Sequence, residues 1–418
     1  MNGAATSPAA ETEPRRNMPP SAGAGELYLQ KLRGRSMTPD RSPFLLFDVR
    51  ITQGDHNERG ISRYSTALAL SVADRLPGKV AFLLNPDLPA PEHVSAFQAR
   101  GRIIHGDREI ASLSDVTHFI QCCLFELDKT AEQLFPIQLA QFSPQLWMVA
   151  YDLIPKIYAG QYLESADIRR RYLSLMNLLP VLDGHLAISE TTARDLVRVA
   201  GVRPDRITTI YGSLDELRWR ATAREGEAPA PRHDMPDRPF WLYVGGGDFR
   251  KNIEGLIAAF AELKQDPASS IPVLVVICNL YPSRHKELEA LARRHGLKPG
   301  LDLIFTGQVD DEDMKEYYRR SFAVIFPSLY EGLGLPILEA YFFDTPVLAG
   351  DNSSLREITP PECRFNAEDP NDISRAMLRF ETEPELRSLS LEFGAKILKE
   401  FDWPRVAARV VQRFTGGC

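Results

Sequence analysis

Two Rossmann-like α/β domains are the fold class this sequence predicts, and three observations carry that reading. The chain has 418 residues, too many for one ordinary core, and two domains of about 170 residues each are the natural division. Short apolar runs alternate with helical patterns along its length, which is how parallel sheets are built. Finally, glycine-rich turns at Gly245, Gly246 and Gly247 and at Gly332 and Gly334 stand between a strand-like run and a helical one. Such turns let an anion approach the free N–H groups of a helix start.

Taken in order, residues 1–41 are rich in Ala, Pro, Glu and Ser, and a disordered leader without chemistry is expected there. The first domain is expected over 42–215. It opens with FLLFDVR (44–50), a polar loop, and a helix in which Ile61, Tyr64, Leu68 and Val72 share one face. Further strands are expected at 79–85, 102–105, 117–123 and 146–152. Active groups gather past the carboxyl ends of such strands, which singles out Tyr151 and Asp152. A Tyr hydroxyl, with an ordinary pKa near 10, donates hydrogen bonds but is a poor base at neutral pH. Arg169, Arg170 and Arg171 read as a solvated helix face, with contact to an anionic lipid surface as the alternative. Ser189 reads as the N-cap of the helix that follows it.

The polar, proline-containing segment 216–238 is the expected linker. The second domain is expected over 239–400. A strand ending at Val244 leads into the triple glycine and then a helix with Ile253, Leu256, Ile257 and Phe260 inward. Strands at 272–278, 301–307, 322–327 and 345–350 follow, each with a helical pattern behind it. Asp311 and Asp313 form an Asp-x-Asp pair, read here as acidic residues at a helix start rather than as metal ligands. Residues 401–418 are the closing segment.

Composition sets limits. A net charge of −7 argues against nonspecific nucleic-acid binding. No run approaches the roughly 18 apolar residues of a membrane span, and no secretory signal is expected, so the cytosol is the default location. Five cysteines without CxxC spacing indicate neither a disulfide framework nor a zinc site.

The most informative stretch is FPSLYEGLGLPILEA (326–340). Pro336 suits the start of a helix, which places Glu339 in its first turn and Glu331 on the far side of Gly332, Leu333, Gly334 and Leu335. The result is an anion seat with a carboxylate on each side. This string resembles the signature of the family 4 (group 1) retaining glycosyltransferases of GT-B fold. The resemblance runs from about Phe44 to Phe414. It implies two Rossmann-like domains facing a cleft, with a C-terminal helix crossing back to the first.

By that resemblance Glu331 lies beside a donor sugar and Glu339 binds ribose hydroxyls. RGISRY (59–64) is similar to the family's RGIGRY, which would bring Arg59, Gly60 and Arg63 to the cleft for acceptor or phosphate, with Ser62 in place of a second Gly. YDLIP (151–155) is similar to HDLIP, with Tyr151 in place of His. GGGDFRKN (245–252) resembles the diphosphate turn: Gly246 and Gly247 admit the nucleotide, and Arg250 and Lys251 neutralise the leaving group. Gly246 stands where many members carry Arg, which shifts weight to those two cations. Glu357 reads as structural, and the Trp403 region as the family's closing helix.

The catalytic candidates are therefore Glu331, Lys251 and Arg250. The implied activity is retaining transfer of a hexose from a nucleotide sugar to a glycan or lipid-linked glycan, with neither cofactor, metal nor protein base. GDP-mannose as donor is implied only by similarity to bacterial mannosyl and rhamnosyl transferases of surface-polysaccharide assembly. A lipid-linked acceptor would bring with it association with the inner membrane face. The other readings are a degenerate nucleotide-sugar-binding scaffold, a nucleotide-sugar epimerase, and a glycoside hydrolase whose paired carboxylates would stand about 5–9.5 Å apart.

Overall fold

In the computed structural model, which describes residues 24–32, 42–53, 60–214 and 235–416, the apolar runs become two all-parallel sheets. The first contains β1 (Leu45–Asp48), β2 (Val80–Leu84), β3 (Arg102–His105), β4 (His118–Gln121), β5 (Gln145–Ala150), β6 (Gly184–Ala187) and β7 (Ile207–Thr209), in the order β3-β2-β1-β4-β5-β6-β7. The second contains β8 (Phe240–Val244), β9 (Val273–Ile277), β10 (Leu303–Phe305), β11 (Ala323–Phe326), β12 (Val347–Gly350) and β13 (Arg364–Phe365), in the order β10-β9-β8-β11-β12-β13. All of β1, β2, β8 and β9 is buried, as helices on both faces of a parallel sheet require. Side chains alternate between the faces: Leu45 and Phe47 enter one hydrophobic cluster and Leu46 another. The two-residue β13 carries too little pattern to be read from sequence.

The expected helical faces are the ones that pack. Tyr64, Leu68 and Val72 of helix Gly60–Arg75 are at most 3% exposed, and Ile253, Leu256, Ile257 and Phe260 of helix Ile253–Leu263 at most 1%. The last helix, Trp403–Thr415, packs against Gly60–Arg75 of the first domain. Its Trp403 Nε1 donates to the Leu214 carbonyl at 3.0 Å, Arg409 to that of Ile210 at 3.1 Å and Arg413 to that of Asp205 at 2.8 Å. One hydrophobic cluster joins Leu68 of the first domain, Val410 of this helix and Leu338 of the second domain.

The expectation of a disordered leader over 1–41 fails for Ala24–Leu32, which is a helix with Tyr28, Leu29 and Leu32 buried in the first domain. The Tyr28 hydroxyl donates to the Phe135 carbonyl at 2.7 Å. Three buried residues in nine give little local signal, and the helix is held by that tertiary contact instead. Elsewhere in residues 1–41, and over 216–234 of the expected linker, the sequence expectations lie outside the described residues. Arg170 and Arg171 are exposed and pair with Asp167, as a solvated helix face does. Asp310 caps helix Asp311–Arg320 by accepting from the Asp313 N–H at 2.9 Å, so the acidic run is a helix start. Cys122, Cys123, Cys278 and Cys363 are free and buried. No helix among the described residues is long and apolar enough to cross a membrane.

Candidate active site

In the second sheet the strand order reverses between β8 and β11. At such a switch point the loops leaving neighbouring strands diverge to opposite faces and open a crevice at their carboxyl ends. The two stretches that meet there are the glycine turn after β8 and the segment Pro327–Gly334 after β11. The glycine turn ends in a single 3-10 turn, Phe249–Lys251, capped by Asp248, whose carboxylate accepts from the Arg250 N–H at 3.1 Å. Asn252 then adopts a left-handed conformation, φ 56°, and its side-chain amide donates to the Ala367 carbonyl at 2.6 Å. That local fold aims Arg250 and Lys251 at Glu331.

Glu331 is 6% exposed and accepts from Lys251 Nζ at 2.6 Å and from Arg250 Nη1 at 2.8 Å. Burial opposes its ionisation, yet Lys251 and Arg250 outweigh burial and hold the carboxyl below its ordinary range. Arg250 Nη1 also donates to the Tyr330 carbonyl at 2.9 Å. A lysine ammonium carries three donors and a guanidinium five, so pairing with Glu331 orients both cations without exhausting them. Asp152, from the first domain, lies near this group. Burial pushes its carboxyl up, while the Ile154 N–H, 3.0 Å from Oδ1, and the Arg250 charge pull it down.

Because Glu331 is held below its ordinary value of 4.5, its stabilising contribution is fully present above about pH 4.5 and is lost as pH falls through the lower folded value. We therefore expect the melting-temperature difference between the wild type and Glu331→Gln to be level from pH 7 to about 5 and to shrink below about 4.5, followed by thermal denaturation across that range. A constant difference down to pH 3 would contradict the ion-pair assignment.

Gly332 presses against the first domain: a Cβ there would stand 2.5 Å from the Tyr151 carbonyl oxygen. Gly334, at φ 99°, supplies the left-handed turn that starts helix Leu335–Phe342. Pro336 falls at that helix's second position, so Glu339 is its fifth residue, just past the first turn expected for it. Glu339 accepts from the Tyr318 hydroxyl at 2.9 Å and lines a small cavity between the domains with Gly60, Arg63, Tyr64, Leu335 and Trp403. Gly60 and Arg63 thus meet Glu339, while Asp152 meets the Glu331 group. Gly246 is exposed with nothing within 4 Å of a notional Cβ, and Gly247 abuts Leu280. Leu333 is buried. Arg59 lies outside the described residues.

Tyr151 contributes through its backbone. Its hydroxyl is taken up by Ser65 Oγ at 2.8 Å, and burial pushes its pKa well above the ordinary value, so it cannot serve as a base.

With this geometry in view, the sequence matches the family Glycosyl transferases group 1 over residues 229–391, which include both stretches that meet at the switch point. That match covers the second domain. Among proteins similar to this chain is the serotype-specific mannosyltransferase WbdA of Escherichia coli, 26% identical over 89% of this chain and 48% of the relative. Another is the O-antigen chain mannosyltransferase B of Escherichia coli, 25% identical over 55% of this chain and 59% of the relative. The chain thus spans about half the length of the first curated relative it matches, 48%. Among solved structures, sucrose-phosphate synthase from Thermosynechococcus elongatus superposes with a TM-score of 0.63 at 20% identity, over 90% of this chain and 99% of that one. Anabaena HepE in complex with UDP and glucose gives 0.60 at 14% identity, over 90% and 100%. These show the GT-B fold, two Rossmann-like domains about a cleft.

Sequence reading missed several residues that build this crevice. Tyr330 donates to Asp195 of the first domain at 2.6 Å, and Tyr162 of the first domain donates to Asp248 at 2.5 Å. Tyr158 and Phe249 meet edge to face across the same gap, centroids 5.4 Å apart. Tyr330 sits beside Glu331 in the signature itself, which was the available signal. Nothing local marks Asp195 or Tyr162.

Proposed function

We propose that this chain is a retaining hexosyltransferase that moves a hexose, mannose from GDP-mannose as the first candidate, to a glycan or lipid-linked glycan without a metal. The observation that carries the reading is the meeting of Arg250, Lys251 and Glu331 at the switch point of the second sheet, with Asp152 of the first domain close by. Transfer from a nucleotide sugar must stabilise a departing diphosphate while the anomeric carbon gains positive charge. Two cations oriented beforehand by a buried carboxylate meet that need with little reorganisation. Charge neutralisation is assigned to Arg250 and Lys251, which converge on Glu331. The leaving phosphate takes the acceptor's proton in front-face attack, which asks nothing of the Tyr151 hydroxyl. Mannose is favoured by the WbdA and O-antigen relatives, which are mannosyltransferases. A lipid-linked acceptor would place the protein at a membrane face.

A charge-assisted hydrogen bond is worth about 1.5–3 kcal/mol net, and each 1.36 kcal/mol of barrier is about tenfold in rate. Lys251→Ala is therefore expected to slow turnover by about tenfold to a few hundredfold, and a loss under about threefold would remove Lys251 from the mechanism. The donor is tested by thermal shift with GDP-mannose, UDP-glucose, UDP-GlcNAc, dTDP-rhamnose and the bare nucleotides, all in EDTA. One nucleotide sugar at a hundred times its Kd should add about 2.7 kcal/mol of stability. No shift with any of them would favour a scaffold instead.

A further inference from the structure

One helix of the first domain, Glu190–Ala200, receives three separate connections from the two residues beside Glu331 and from the segment that holds its backbone. The first runs through Tyr330, whose hydroxyl donates to Asp195 at 2.6 Å; Asp195 is 3% exposed, and Arg198 holds its other oxygen at 3.2 Å. The second runs through Glu357. Its carboxylate accepts from the N–H groups of Glu190 at 2.9 Å and Thr191 at 2.8 Å and from the Thr191 hydroxyl at 2.7 Å, filling the helix N-terminus where a negative charge is favoured. Glu357 lies in the short helix Leu355–Ile358, directly behind Ser353 and Ser354. Those two serines hold both backbone groups of Glu331: its N–H donates to Ser353 Oγ at 2.9 Å, and Ser354 Oγ donates to its carbonyl at 2.9 Å. The third connection is the Thr192 hydroxyl, which donates to the Tyr151 carbonyl at 2.8 Å, the same oxygen against which Gly332 rests.

We propose that helix Glu190–Ala200 is the seat that positions Glu331, with Asp195 and the Thr191 turn acting as positioning residues through Tyr330 and Glu357. The inference rests on the transferase reading of the site. Glu331 is flanked in sequence by Tyr330 and Gly332, both of which touch this seat directly or through one carbonyl. Its main chain is pinned by serines anchored to the seat through Glu357. The second domain supplies the cations and the carboxylate, and the first domain fixes where that carboxylate stands relative to Asp152. Seating the domains and placing Glu331 are therefore one event, so loss of a seat contact should impair turnover more than nucleotide binding.

The test uses the full chain with Tyr330→Phe, Asp195→Ala, the double variant and Glu357→Gln, checked for folding by circular dichroism. Nucleotide-sugar consumption gives kcat, calorimetry gives the Kd of the nucleotide selected by thermal shift, and hydrogen exchange at the Glu190 and Thr191 amides reports the seat without any ligand. Expected are a kcat about tenfold lower in each single variant, a Kd within about twofold of wild type, and a double variant no worse than the more impaired single one. Glu357→Gln should also speed exchange at the Thr191 amide by about tenfold or more. Equal losses in kcat and Kd, losses that multiply in the double variant, or unchanged kcat with a turning-over wild type would each overturn the positioning role alone. A wild type that neither binds nor consumes any nucleotide sugar would overturn the transferase reading, and the positioning role with it, whatever the exchange shows.

Discussion

Glu331→Gln is expected to lower turnover by about a hundredfold or more, equivalent to about 2.7 kcal/mol in the barrier. The substitution keeps the shape and the hydrogen-bonding oxygen but removes the one negative charge that accepts from both Lys251 Nζ and Arg250 Nη1. Two cations with side chains 12% and 19% exposed are then left side by side without their shared counter-ion. Breaking a buried ion pair in this way costs about 3–5 kcal/mol, because the remaining charge is uncompensated. Some of that cost appears as lost stability, visible as a lower melting temperature, and the rest as cations that turn away from the position a diphosphate would take. Steady-state kinetics beside a melting curve separate the two. Full activity in a variant of lowered stability would show that Glu331 is structural only.

The second large effect is expected at Gly332. Gly332→Ala places a Cβ 2.5 Å from the Tyr151 carbonyl oxygen and 3.2 Å from Asp152 Cβ. The carbonyl cannot retreat freely, since the Thr192 hydroxyl holds it at 2.8 Å. The added methyl should therefore wedge the two domains apart at the crevice. We expect kcat to fall by about thirtyfold or more while nucleotide Kd stays within about threefold, because the glycine turn after β8 is untouched. Small-angle scattering of the free protein should show a larger radius of gyration than wild type. A variant with wild-type kcat would mean that the backbone at Tyr151 yields.

Much of the second domain's local structure was legible along the chain. The triple glycine with Arg250 and Lys251, Pro336 at a helix start, and two glutamates around a glycine turn are local patterns, each fixed by backbone sterics or by helix-end electrostatics. The structure puts Arg250 and Lys251 on Glu331, a pairing 80 and 81 positions apart in sequence that depends on β8 lying beside β11. Strand order is set by which apolar faces bury together, and no window of sequence contains it. Tyr151 shows the reverse limit. Its place after β5 was readable, but its hydroxyl goes to Ser65 of the same domain and its carbonyl faces Gly332 of the second, contacts that exist only in the tertiary structure.

The sequence by itself determined most of the elements: buried runs that must be parallel strands, amphipathic helices with Leu68 and Phe260 inward, and glycine turns between strand and helix. These follow from periodicity, propensity and sterics within a few residues. Only the tertiary structure decided which charges compensate one another and which domain holds which residue still. Glu357 on the N-terminus of helix Glu190–Ala200, Tyr330 on Asp195 and the buried helix Ala24–Leu32 all draw their stability from partners more than a hundred residues away. A long-range contact of that kind leaves no periodic trace, because either side chain alone would suit a solvated surface equally well.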